Sequence, residues 1–397
     1  MSHRLISLSP DLKRLRDEEY DIEMRGAYLL VKDVPYVNAQ REVARGMLVT
    51  SLTMSANITV TPDTHAIYFA GEYPCHGDGS EISEFRNTTF PEPKDLGHSI
   101  IVNHQFSAKP YPSGKYENYY DKIMTYINLL GAPARQLDPD VSAKTSPVIC
   151  ADEENDVFKY IDTATSRADI GVVASKLELS SIAIIGLGGT GSYILDHVAK
   201  THVRNIHLFD GDKFLQHNAF RSPGAASLED LKVKMYKVDY FKDLYSKMRN
   251  GIHAHSYYLN GENANELQKM DFVFVCIDGG AEKKEILLKL EEFGVPFIDT
   301  GIGINLVDDA LTGISRVTTS TKNYREHIWK EERISFADDD GNNEYIHNIQ
   351  VSDLNALTAA LAVIKWKKLM RFYHDLEREH HSTYTISGNK MTNCDKT

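Results

Sequence analysis

The residues best suited to chemistry begin at Gly186-Leu187-Gly188-Gly189-Thr190-Gly191, between an apolar run, IAIIGLG (182–188), and a stretch with helical spacing, GSYILDHVAKT. Glycine allows a tight strand-to-helix turn and lets backbone N–H groups approach a phosphate, while a helix N-terminus favours negative charge. Alone, a GxGxxG spacing suits nicotinamide and flavin enzymes as well as ATP-using ones. Asp210 closes the next strand-like run, NIHLFD, 24 residues after Gly186, where a carboxylate can accept ribose hydroxyls. The chain then passes through Asp212 to Asn218, Arg221 and Lys234. A dehydrogenase bound at ribose has no need of cations there. An enzyme that breaks a triphosphate does, because charge builds on bridging and leaving oxygens; arginine offers a planar fork and lysine a mobile point charge. Asp278 ends DFVFVCID (271–278), at the carboxyl edge of a sheet, where it could hold Mg²⁺ on phosphates. Its rival reading is a helix N-cap, compatible with the first. Asp212 also reads as a turn residue. Lys232 and Lys237 read as solvated helix charges, with the spacing favouring Lys234.

The elements that must position these residues alternate. VFKYIDTATSRADIGVVASKLEL (157–179) is expected as a helical segment before the first strand. After the glycine turn come NIHLFDGD as strand, LEDLKVKMYKVDYFKDLYSKM as helix, DFVFVCID as strand, AEKKEILLKLEEFG as helix and VPFIDTG as strand. Short apolar strands alternating with helices predict a doubly wound, mostly parallel sheet of Rossmann type. A last helix is expected over residues 353–378. The first part of the chain differs. AYLLVKDVPYV (27–37), MLVTSLTM (47–54) and AIYFAGEY (66–73) read as strands, and residues 118–134 as a helix stopped by Gly131 and Pro133. The fold expected is therefore α/β, with a smaller β-rich α+β domain at residues 1–145, the Rossmann-like domain at 156–380, and a polar tail at 381–397. Residues 138–155, with two prolines and the acidic cluster 152–155, read as the connection.

Composition narrows the classes. A formal net charge of −12, from 56 acidic and 44 basic residues, argues against a general affinity for nucleic acid. Cys75, Cys150, Cys276 and Cys394 form no CxxC pair, which removes a zinc ribbon and a disulfide framework. No apolar run approaches membrane-spanning length and the N-terminus lacks a signal-peptide core, so a reduced cytoplasmic protein is expected.

Taken together, GLGGTG, the D-x-D followed by N-x-x-R, the lysine 13 residues after Arg221 and the aspartate after a buried strand resemble the ThiF/MoeB/ubiquitin-activating-enzyme superfamily, over residues 158–375. The resemblance implies ATP and Mg²⁺ as cosubstrates. It puts Gly186, Gly188, Gly189 and Gly191 in the nucleotide turn with Gly189 under the phosphates, Asp210 on ribose, Asn218, Arg221 and Lys234 around the triphosphate, and Asp278 on the magnesium. It implies an arginine from before the first strand, for which Arg167 is the candidate, and a homodimer. The reaction implied is attack of the C-terminal carboxylate of a ubiquitin-like protein on the α-phosphate of ATP. The whole chain, including GEYPCHGDG, HQFSAKP and RISFADDDGNN, also resembles bacterial proteins of ubiquitin-like conjugation systems that join an uncharacterised N-terminal domain to a ThiF domain. That implies a ubiquitin-like and a conjugating-enzyme-like partner; it assigns no role to the first domain, which is read as a docking module for either of them.

One departure bears on any transfer step after adenylation. Residues 313–350, where relatives carry an acceptor cysteine, hold none. Thr318, Thr319, Ser320 and Thr321 offer hydroxyls there, though a hydroxyl is a weak nucleophile without a base; His327 and His347 are near in sequence. Cys75, beside His76, is a further candidate acceptor, whereas Cys276 reads as inert core and Cys394 as a thiol in the tail. Two other classes stay open: a nicotinamide-dependent oxidoreductase, and an inactive scaffold of the same fold.

Overall fold

The computed structural model describes residues 2–90, 93–151, 156–278, 280–336 and 349–397. The acidic cluster 152–155 of the connection expected at 138–155, most of RISFADDDGNN and His347 lie outside the described residues. The chain divides into two compact units, Met1–Glu154 with Tyr160–Arg167, and Asn155–Lys159 with Ala168–Thr397.

In the first unit two short helices, α1 (Ser2–Leu8) and α2 (Pro10–Asp17), precede an antiparallel meander of five strands. These are β1 (Ile22–Arg25), β2 (Tyr28–Val37), β3 (Val43–Ser51), β4 (Ala66–Ala70) and β5 (His104–Ser107), adjacent in chain order. The helix α3 (Tyr119–Leu137) lays Tyr119, Ile123, Tyr126, Ile127, Leu130 and Ala134 into its core. This helix runs through Gly131 and Pro133, where the sequence predicted its end. Pro133 removes one i→i−4 hydrogen bond, but the apolar face continues past it, and packing outweighs the local loss.

The second unit is the Rossmann-like one. Its elements are β6 (Ser181–Ile185), α4 (Gly189–Ala199), β7 (Asn205–Phe209), α5 (Leu228–Val233), α6 (Lys237–Tyr245), β8 (Ile252–His255), β9 (Phe272–Val275), α7 (Ala281–Phe293), β10 (Phe297–Val307), β11 (Ala310–Ser320), α8 (Ser352–Leu369), β12 (Glu379–Thr385) and β13 (Lys390–Lys396). The eight strands run in the order β8-β7-β6-β9-β10-β11-β12-β13. The first five are parallel and the last three antiparallel. All four residues of β9 are buried, as expected of a strand covered on both faces. Alternate residues serve alternate faces: Ile182 and Ile184 pack with Val198, Phe241 and Trp366, while Ala183 and Ile185 pack with Ile286 and Leu290. Because β6 and β9 leave the sheet centre in opposite winding directions, the crevice between their C-terminal ends is the switch point where such sheets bind ligands.

Three helical expectations are corrected. Residues 157–179 hold two short helices, Thr163–Arg167 and Gly171–Ala174, separated where Asp169 has φ +54°. The helix expected over 228–248 is α5 and α6, broken at Lys234 with φ +52°. The last helix ends at Leu369. The tail expected at 381–397 is instead mostly β12 and β13, in register from Glu379↔Lys396 to Thr385↔Lys390. Its side chains are polar because the hairpin forms the sheet edge, and an edge strand does not need the apolar pattern that marks a central one.

That edge carries a pH prediction. His381, buried, shares a hydrogen bond of 3.0 Å with Thr318. Burial, with Arg333 and Arg316 nearby and opposed by Asp395, pushes its imidazole down to about 4. The unfolded chain, with an ordinary pKa of about 6.5, therefore binds the proton first; stability is full above that value and is lost as pH falls toward 4. Both tryptophans, Trp329 and Trp366, lie in the second unit, so their fluorescence reads it alone. Between pH 6.5 and 4 the urea midpoint should fall, and His381→Gln should remove about 2 kcal/mol of that fall. Parallel wild-type and variant profiles would refute this.

Candidate active site

The cleft forms where β6 stops. Ile185 pairs with Val275, so β6 and β9 end flush, and Gly186 N–H donates to the Phe209 carbonyl at 2.8 Å. Gly186 turns the chain with φ +85°, and a Cβ there would stand 2.6 Å from the Cys276 carbonyl oxygen. Gly191 lets α4 close on this turn, since its Cβ would lie 1.9 Å from the Gly186 oxygen. Both positions thus require glycine for close backbone approach. Gly189 differs. The space its side chain would fill is taken by the carboxamide of Asn355, 2.1 Å away.

Asp210 anchors the turn. It is buried, and its Oδ2 accepts the Leu187 N–H at 2.6 Å while Oδ1 accepts the Asp212 N–H at 2.8 Å. Lys237 bridges the two acids, with Nζ 2.6 Å from Asp212 and 3.5 Å from Asp210. Burial pulls the Asp212 carboxyl up, but the Lys237 ammonium and the Tyr258 hydroxyl, which donates to it, outweigh that and hold it below the usual range.

The structure puts Lys237 in the cleft, not Lys234. Lys234 is exposed, ends α5 in the left-handed region and does not line the cleft. Past that reversal, Phe214 N–H donates to the Met235 carbonyl at 2.8 Å and Lys237 N–H to the Asp212 carbonyl at 2.9 Å. Two backbone bonds therefore dock Lys237 beside Asp212. Its reading as a solvated charge is corrected by a side chain only 8% exposed.

Arg221 comes just after the short helix Gln216–Ala219 and lines the cleft with Nε buried and without a hydrogen-bond partner. Asn218 stands behind it. It is buried, its Oδ1 accepts the Leu215 N–H at 2.9 Å, and its carbonyl accepts the Arg221 N–H at 3.1 Å. Asn218 thus shapes the turn that presents Arg221 and does not itself line the cleft. Asp278 lines the cleft from the loop after β9. That loop is tied from α7: Lys283 donates to the Ile277 carbonyl at 3.1 Å and pairs with buried Asp299 at 2.6 Å, and Arg316 takes the other Asp299 oxygen at 2.6 Å.

The remaining candidates lie elsewhere. Arg167 belongs to the first unit, where it pairs with Glu19 at 2.9 Å. Thr318, Thr319 and Ser320 are buried in β11, and Thr321 bridges Tyr324, so none offers its hydroxyl to the cleft. Cys75 is buried in the first unit, and burial pushes its thiol up, the opposite of activation. Cys276, read as strand core, lies just past β9 and lines the cleft; burial pushes its thiol up to about 12. Among the described residues no cluster of three metal-ligating side chains occurs. No helix among them is long and apolar enough to cross a membrane. Sequence reasoning missed Thr300, Ile302 and Asn355 in the cleft. Only Asn355 left a signal, as an amide within the apolar stripe of α8.

The glycine turn, one engaged acid pair, one lysine and one arginine with an idle buried N–H suit a phosphate-bearing ligand. Comparison with known proteins divides the chain at 163/164, close to the 167/168 boundary of the two units. Residues 10–163 match a domain of unknown function (DUF6791), and residues 164–392 match the ThiF family. No curated protein matches the chain. Among solved structures, selenomethionine PaaA is 17% identical with a TM-score of 0.46, over 59% of this chain and 80% of that one. E. coli MccB with ATP is 16% identical with a TM-score of 0.43, over 58% and 67%. E. coli MccB with MccA-N7isoASN is 16% identical with a TM-score of 0.46, over 59% and 70%. Since the ThiF match spans more than half of the 397 residues and encloses the whole cleft, the chain belongs to the ThiF family.

Proposed function

We propose that the chain is an ATP- and magnesium-dependent adenylyltransferase acting on the C-terminal carboxylate of a ubiquitin-like protein. Arg221 carries the reading: a guanidinium with a buried, unpartnered N–H lines the same cleft as the glycine turn and Asp210. An arginine there could also meet a dinucleotide's phosphates, and the ThiF match favours adenylation over a nicotinamide enzyme. The carboxylate nucleophile is ionised at neutral pH, so no general base is needed. Its oxygen attacks the α-phosphorus, the bond to the bridging oxygen breaks, and pyrophosphate leaves with the electron pair. Arg221 and the third N–H of Lys237 would meet the charge that builds on the phosphates. Asp210 would orient ribose. Asp278 would hold magnesium together with phosphate oxygens and water, as a site with few protein ligands does; the ion supplies charge neutralisation.

The ubiquitin-like identity of the substrate is supported by the superfamily resemblance. The same support extends to a homodimer, while the whole-chain resemblance supports a conjugating-enzyme-like partner; we read the first unit as their docking module and, from the cysteine usage and lack of long apolar runs, the protein as cytoplasmic. The acidic net charge supports the exclusion of nucleic acid.

The test is ATP–pyrophosphate exchange with ubiquitin-like proteins, intact or lacking the C-terminal residue. Exchange that needs the intact C-terminus is expected; a partner that binds without exchange would make the chain a scaffold. Asp278→Asn should lower exchange by about a hundredfold and raise the magnesium concentration needed for nucleotide binding. An unchanged magnesium dependence would remove Asp278 from the metal.

A further inference from the structure

One side chain in the cleft has no part in the adenylation chemistry and is almost completely buried. Asn355 lies in the first turn of α8 and is 1% exposed. Its Oδ1 accepts the Thr190 hydroxyl at 3.1 Å, while its Nδ2 is buried without a hydrogen-bond partner. A buried amide donor left unpaired is costly and uncommon in a native protein, and it points to a function. The other polar groups of the cleft do not use it: Asp210 is already engaged through both oxygens and Asp212 is held by Lys237 and Tyr258.

Gly189 shows where the donor stands. This residue begins α4, and a Cβ on it would collide with the Asn355 carboxamide, 2.1 Å from Nδ2 and 2.5 Å from Oδ1. The carboxamide therefore sits directly on the N-terminus of an eleven-residue helix, where first-turn N–H groups and the helix dipole favour an anion. Two independent features converge there: the open helix N-terminus and an idle amide donor from a different helix.

We propose that Asn355 is a substrate-binding residue whose Nδ2 donates to a phosphate oxygen of the nucleotide at the N-terminus of α4, and that Gly189 lacks a side chain to admit it. The proposal rests on the nucleotide reading of the cleft. The ligand class is a polyphosphate acceptor. An amide serves it without adding charge, so α8 reads phosphate through geometry while Arg221 and Lys237 read it through charge.

Asn355→Asp and Asn355→Ala separate binding from packing. The aspartate keeps the shape and the acceptor for Thr190 but turns the donor into a carboxylate facing phosphate. By calorimetry with Mg·ATP, we expect affinity to fall about a hundredfold for Asn355→Asp and about tenfold for Asn355→Ala. Thermal melting without nucleotide supplies the second arm. Gly189→Ala should lower the Tm, and Asn355→Ala in the same chain should restore most of it, because the clash is removed. If wild type binds Mg·ATP and both Asn355 variants bind it within threefold of wild type, Asn355 is a packing residue and the proposal is overturned while the nucleotide reading stands. If Asn355→Asp melts well below wild type, Asn355→Ala alone decides by the same threefold limit. If wild type binds no Mg·ATP, the nucleotide reading falls and this inference with it.

Discussion

Arg221→Ala should lower ATP–pyrophosphate exchange about a thousandfold while leaving the fold intact. The size reflects the group removed. A preorganised donor aimed at developing charge is worth about 10²–10³ in rate, and the buried Nε of Arg221 has no structural partner to lose. The loss should fall mainly on kcat if the guanidinium meets the leaving phosphates, and on the ATP affinity if it only binds them. Arg221→Lys should recover little, since an ammonium lacks the planar fork. Lys237→Met is expected to be as damaging for a second reason: it strands Asp210 and Asp212, both held by that ammonium. Exchange within threefold of wild type in Arg221→Ala would sink this account of the cleft. Lys234→Met, by contrast, should retain nearly full exchange, because that side chain is exposed outside the cleft.

The second large effect concerns stability. Asp299→Ala should destabilise the second unit by about 3–5 kcal/mol, the range for removing one partner of a buried ion pair. Asp299 is fully buried between Lys283, itself 3% exposed, and Arg316, which also reaches Thr318. Its loss leaves two cations facing each other with no counter-charge. The companion variant Lys283→Met/Asp299→Leu/Arg316→Met should lose far less, since apolar replacement of a whole buried charge triad is often neutral. Urea unfolding read on tryptophan checks both. A midpoint shift in Asp299→Ala worth less than about 1 kcal/mol would refute the prediction. Because Lys283 also holds the Ile277 carbonyl, neighbour of Asp278, exchange should weaken before the unit unfolds.

What could be read from the residues, and what could not, divides by range. The glycine turn and the acids at 210 and 278 were legible because each sits at the end of an apolar strand, and strand ends at a switch point are ligand positions. That Lys237 and not Lys234 lines the cleft was not legible: the helix expected over 228–248 is broken by the left-handed residue at 234, a conformation that a lysine does not announce. The second demand on Gly189 escaped because nothing local reveals the amide from α8, 166 residues downstream, that a side chain there would meet. Asp299 escaped for the same reason, as its meaning lies in Lys283 and Arg316 on other elements. The β12–β13 hairpin read as a tail because its buried positions, Glu379, His380 and His381, are polar and leave no alternating apolar pattern.

The strand order has a kinetic consequence. β6 and β9 are neighbours in the sheet, yet 86 residues lie between Ile185 and Phe272, and Asn355 comes later still. The stretch from β6 to α6 can gather the glycine turn, Asp210 and Lys237, but the wall at Cys276–Asp278 and Asn355 is added only by loop closure over that longer distance. Partial openings that detach β9 or α8 should remove that wall. Any ligand that spans the turn and the Asp278 loop then acts as a clasp on the whole sheet, and its hydrogen-exchange footprint should extend to strands it never touches.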